Sequence, residues 1–237
     1  MTLIQLFHRH VVTAYDKQMR LADFLQESVG HAGWSFDKTT ATLTFGKDVH
    51  FQAEILGSVD LVASTWLWAW ANQASNIPDS QLKAARAMKE YGDKEQIAEL
   101  ATDLLVCDSI LGKENEAAAG HVLGVIAVGL LGFDAYYSAP YTGGVAILLI
   151  RDARLQAPVE QPLPRILTIF PQALQGYPIS DHKTALAGYL EYYGFRPTVR
   201  DKKIRVNHGG QTVLTARFDD LGRLVSLEGT AKAVKQA

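Results

Sequence analysis

His121 is the side chain in this 237-residue chain best suited to acid/base chemistry. It opens the apolar run HVLGVIAVGLLGF (121–133), where a histidine has two ring nitrogens to satisfy and titrates near neutral pH. Asp134, Tyr136 and Tyr137 follow directly and complete a polar cluster able to exchange protons. The plainer reading, a buried histidine bonded to a backbone carbonyl or a tyrosine, is preferred, because buried polar atoms are almost always paired. His50, Gln52 and Glu54 alternate along a second segment, the pattern of a solvated strand face. An enzymatic alternative joins His121, Glu54 and a tyrosine in a cavity between a sheet and the helices. His8 and His10 lie two apart, the wrong spacing for metal ligands on one helix face, and Cys107 has no neighbouring cation to activate its thiol. No catalytic residue, metal ligand or cofactor is assigned.

Known local signatures are missing: there is no glycine-rich phosphate loop between strand and helix, no H-E-x-x-H, no G-x-S-x-G and no C-x-x-C. A formal charge of −2 and a pI near 6.4 predict no nucleic-acid partner. The basic run Arg200, Lys202, Lys203 and Arg205 reads as edge protection on a short hairpin. One cysteine suits a reducing cytoplasm, and no stretch reaches the ~20 apolar residues of a membrane span.

The most distinctive stretch is TWLWAWAN (65–72), which places Trp66, Trp68 and Trp70 at every second position and Asn72 after them. Alternation predicts a strand with all three indoles on one side, and Asn72 is expected to cap or turn the chain. Each indole can bury about 150–250 Å², so the trio belongs in a core or under a partner, with the core preferred.

The elements that must position these residues follow from periodicity. Leu3 to Val29 recur at helical spacing up to Gly30; residues 41–45 and 49–55 alternate as a hairpin; a turn around Gly57 to Asp60 leads into the tryptophan strand. A helix from Pro78 is expected to stop at Tyr91-Gly92, and Asp93 with Gln96 reads as a capping box for a second helix running through Leu104 and Leu105. A buried helix spans about Glu116 to Leu131, and a hairpin covers 134–150. Pro158, Pro162 and Pro164 mark a linker, followed by a strand ILTIF, a helix from about Asp181 to Tyr193 and three or four short strands. The expected fold class is α+β: an antiparallel β-meander packed against helices in a main domain, 1–152, a linker, 153–165, and a smaller helix-plus-meander unit, 166–237.

TWLWAWAN, the helix ending EYG, GHVLGVIAVGLLG and FDAYYSAPYTGGVAILLI together resemble an uncharacterised bacterial family, a domain of unknown function, over about Trp34 to Ile150. The resemblance implies a cytoplasmic α+β protein, brings no activity, and leaves the region after the prolines as an addition. By analogy with small orphan families, it suggests an immunity- or antitoxin-type inhibitor. The expected function is therefore a non-enzymatic protein-interaction module with a protein partner such as a toxin. Trp66, Trp68, Trp70, Asn72, His121, Asp134, Tyr136 and Tyr137 are its candidate binding residues, and a homodimer is a further expectation. The alternative is a small-molecule-binding or hydrolytic protein with a cavity between sheet and helices.

Overall fold

The computed structural model describes residues 1–111, 116–156 and 159–230 and shows an α+β fold. Two compact units divide the chain, one containing Lys17–Gln156 and the other Ile4–Asp16 with everything from Ala157 on. Helix α1 (Leu3–Ser28) contributes to both, its first half to the second unit and its later half to the first. The sequence-based main domain, 1–152, assigned the whole of that helix to one unit.

In the first unit, β1 (Trp34–Asp37), β2 (Thr42–Phe45) and β3 (Val49–Asp60) form a meander that continues into β4 (Thr65–Trp68). After α2 (Lys83–Glu95) and the short α3 (Ala98–Ala101), β5 (Leu104–Val106) adds to β4 as an edge. The short α4 (Asp108–Leu111) and α5 (Glu116–Leu131) precede the hairpin β6 (Ala135–Tyr141) and β7 (Gly144–Ile150), which joins the sheet through β3. One sheet face carries Leu43, Phe45, Phe51, Ile55, Ala139 and Leu148, covered in part by Leu21, Phe24 and Leu25 of α1. The other face receives α5, a helix buried from Val122 to Val128. Gly124 lets it sit down, since a Cβ there would lie 3.0 Å from the Tyr136 ring.

The expected turn at Gly57 to Asp60 is instead strand: β3 runs on to Asp60, with an irregularity in register between Ile55 and Gly57. Gly57 is needed there because the Trp66 ring occupies the space of its missing side chain. The expected helix stop at Tyr91-Gly92 does not occur either. Gly92 is interior to α2, pressed against Leu100 at 2.6 Å from the position of a Cβ, and the helix ends at Gln96 with φ +56°. Asp93 lies inside α2, so it opens no second helix, and Leu104 and Leu105 are in β5, where backbone pairing with β4 outweighs their helical spacing.

The second unit contains α6 (Pro162–Gly176), α7 (His182–Tyr192) and a sheet of β8 (Thr198–Arg200), β9 (Lys203–His208), β10 (Gln211–Phe218) and β11 (Leu224–Gly229). ILTIF is helical, not a strand. Pro162 and Pro164 occupy the first turn of α6, where a missing N–H costs nothing, and Ile166, Ile169, Phe170 and Ala173 bury one helical face. Buried Asp16 ties the unit together: its carboxylate takes hydrogen bonds from Arg165 Nε (2.7 Å), Tyr189 Oη (2.9 Å) and Tyr193 Oη (2.5 Å).

Because the Trp66 ring and the Leu67 carbonyl oxygen (2.6 Å) both crowd a Cβ at Gly57, Gly57→Ala is expected to destabilise the fold by about 2–3 kcal/mol in urea unfolding, the cost typical of overpacking. An unchanged midpoint would show that the strand can yield at this point.

Candidate functional site

Side chains from five segments meet around a cleft of about 550 Å³ in the first unit. Its walls are apolar, chiefly Trp34 and Phe36 of β1, Ile55 of β3, Ile77, Tyr141 and Leu148. Strand alternation explains this placement: Trp34 and Phe36 face inward while Ser35 and Asp37 are exposed. Trp34 stands edge-on to Tyr137 (centroids 5.3 Å apart), and Tyr137 to Phe45 (4.9 Å), so a continuous set of rings forms the floor beside the cleft.

Polar groups border this surface: Lys38, Ser35, Ser58, Asn72 and Ser75. Asn72 Oδ1 accepts from Ser75 N (3.1 Å), the turn expected of it, which leaves its amide N–H groups without a partner among the described residues. Lys38 Nζ donates to Ser75 O (2.5 Å) and retains further donor capacity. An apolar slot edged by hydrogen-bond donors can hold a ring-sized group that ends in an acceptor.

The candidate residues separate into three surroundings. Trp66 and Trp68 lie on β4, fully buried and edge-to-face at 5.4 Å, and Trp68 Nε1 donates to Glu99 O (3.2 Å). Trp70 does not share their strand. It falls in a single 3-10 turn, Ala69–Ala71, with the Lys89 ammonium 4.4 Å from its ring centre. The alternating pattern therefore breaks after Trp68, where the chain leaves the sheet.

His121 and Tyr136 do meet, Nδ1 to Oη at 3.0 Å, with the rings edge-on. The histidine, expected to be buried, lies on an exposed part of α5, and the tyrosine is the buried partner. Gln18 holds Tyr136 from the free edge of β6, bonding both its N–H and its carbonyl at 2.9 Å. Asp134 is occupied with Asp152 N and Gln156 Nε2, each 2.9 Å from Oδ2. Tyr137 does not line the cleft but packs behind its Trp34 wall, and burial pushes its hydroxyl above the ordinary tyrosine value. Glu54 takes a hydrogen bond from Ala84 N (2.7 Å) at the start of α2, so it serves as a helix cap.

Trp34, Phe36, Lys38 and Ser58 were not singled out by sequence. Only the inward alternation of Trp34 and Phe36 hints at them, because the cleft is assembled across segments far apart in the chain. His121, although partly accessible, loses enough water to the packing around it that its pKa falls below the ordinary 6.5. Its folded pKa lies below its unfolded one, so its contribution to stability is complete above pH 6.5 and is lost as pH falls through the lowered value. An NMR titration of the imidazole is expected to show a midpoint below 6.5; a midpoint at or above it would remove the desolvation account.

No curated protein and no solved structure matches the chain. A family model matches residues 4–153, ending close to the division between the units at Gln156 and excluding the second sheet. With well over half its length matched, the chain belongs to the family described as "Family of unknown function (DUF6882)".

Proposed function

We propose that this protein acts in the bacterial cytoplasm as a non-enzymatic binding protein, and that the cleft beside β1 is where it binds. The favoured ligand is a small molecule with an apolar ring and a carboxylate or similar acceptor end. The observation that carries this reading is the pairing of apolar walls with the donors of Lys38 and Asn72 in a volume of about 550 Å³. That volume falls within the roughly 300–1,000 Å³ of ligand pockets. The single cysteine, buried Cys107, supports the reducing compartment.

Phenylacetate is a suitable first probe, with phenylacetamide as its neutral counterpart and the Trp34 indole resonance as reporter. Phenylacetate is expected to bind with sub-millimolar affinity. Lys38→Met should weaken it about tenfold with little effect on the amide, the value of one charge-assisted hydrogen bond. Ala146→Leu, which fills the cleft, should abolish both. Absence of any Trp34 shift up to about 10 mM ligand, an affinity worth under ~3 kcal/mol, would end this reading.

A second reading keeps the protein partner, an immunity-type toxin inhibitor included. It rests on β5, whose Leu104 and Val106 are 54% and 58% exposed on a sheet edge. Exposed edge strands recruit further strands, and apolar side chains add to that tendency. The tryptophans no longer support it, since Trp66 and Trp68 are enclosed. If this edge is the interface, Leu104→Lys with Val106→Lys should abolish a complex that wild-type protein forms in sedimentation experiments with its isolated partner. Retention of that complex would exclude the edge.

A further inference from the structure

The sheet of the second unit carries cations where edge protection does not account for them. Its strand order is β11-β10-β9-β8, so Arg200 on β8 suits a charged edge. Lys203 and Arg205, however, lie on β9 and Arg217 on β10, both interior strands. Register places Arg200 opposite Lys203, and Lys203 opposite Arg217. Three cations therefore form a row across three neighbouring strands, with Arg205 two residues along on the same face. All four are exposed, whereas Ile204, Val206, Leu214 and Ala216 fill the buried positions.

Like charges directly opposite one another destabilise a sheet, so this row is a cost to folding. Acidic side chains of the unit do not relieve it. Glu191 pairs with Arg9, Asp16 with Arg165, Asp219 with Arg223 and Asp220 with Lys202. Asp201 in the β8–β9 turn and Glu228 on β11 are the remaining carboxylates of the sheet region, and among the described residues neither forms an ion pair with the row. Residues 157–237 hold eleven Lys and Arg against seven Asp and Glu, although the whole chain carries a formal −2. The basic balance is thus local to this part of the chain.

Beside the row is a hollow of about 580 Å³ lined by Thr198, Arg200, Lys203, Arg205 and Asn207 together with the turn residues Asp201 and Lys202. It contains no aliphatic or aromatic wall, which disfavours a small organic ligand. Single-stranded nucleic acid is also disfavoured, because its binding sites rely on aromatic rings for base stacking. A duplex hides its bases and presents a regular line of phosphates, which arginine and lysine on an open face can meet without reading sequence. Four strands about 4.8 Å apart, the longest of 8 residues, give a face of roughly 15 by 27 Å, short of the ~16 base pairs over which RNA-duplex domains span successive minor grooves.

We propose that this basic sheet face binds the phosphate backbone of double-stranded DNA without sequence preference. This departs from the sequence-based expectation of no nucleic-acid partner, which rested on the charge of the whole chain. The test uses the full-length protein and fluorescence anisotropy of a labelled 20-base-pair DNA duplex in 50 to 200 mM salt. Binding is expected in the micromolar range at 50 mM salt, with a slope of log K against log salt of roughly −3 to −4, as for three or four neutralised phosphates. The triple variant Arg200→Gln, Lys203→Gln, Arg217→Gln alters exposed side chains only, and its fold is checked by circular dichroism. It should weaken binding at least tenfold and bring the slope to about −1. The proposal is overturned by no binding at 50 mM salt or by equal affinity in the triple variant. Equal or tighter binding of single-stranded DNA, of an RNA duplex, or of vesicles containing 30% phosphatidylserine would overturn it as well.

Discussion

The first unit depends on one close contact, the Trp66 indole lying in the space that a side chain at Gly57 would fill. Here β3 and β4 pair directly with the ring lying over Gly57 on one face, and the irregular register between Ile55 and Gly57 lies directly beside it. An indole of this size contributes roughly 4–6 kcal/mol as an upper estimate when wholly buried, comparable with the net stability of a small domain. The register shift between Ile55 and Gly57 puts Ile55 and Ser58, three residues apart, on the same side of the strand, where both line the cleft.

From that contact the two faces of the sheet acquire different roles. The face under α5 is closed: Gly124 brings the helix down on Tyr136, and Gln18 occupies the free backbone of β6. His121 therefore ends beside a tyrosine whose backbone N–H and carbonyl are both bonded to Gln18. The opposite face is covered only in part by α1, and the uncovered portion between β1 and β7 is the cleft. Partial cover of an aromatic surface is what leaves this cleft open.

The second unit is organised around charge. Asp16 is an enclosed carboxylate that would be costly alone, and three donors from α6, α7 and the residue after α7 offset its desolvation. Removing one donor would leave a buried charge partly unsatisfied, so these elements are bound to that stretch of α1. The exposed sheet face shows the converse, cations held side by side that form no ion pair with the neighbouring carboxylates among the described residues.

Much of this was legible in the residues alone. Alternation in 42–45, 49–55 and 145–150, the apolar run from Val122, and the glycines closing α1 and α5 determined the α+β class and most element positions, because these signals act over one or two turns of chain. Sequence also placed Trp66 and Trp68 in a core and gave Asn72 its turn. Tertiary structure decided what local period could not. ILTIF became a helix because its apolar face could be buried as α6, and Leu104 to Val106 became a strand because β4 offered a partner. Trp70 left its two companions because the sheet ends at Trp68. The cleft was invisible because it joins side chains distant in sequence. Arg200, Lys203 and Arg205 were legible as a basic run, but only strand register added Arg217 and placed Lys203 and Arg205 on an interior strand, and register is set by burial and backbone pairing across the whole sheet.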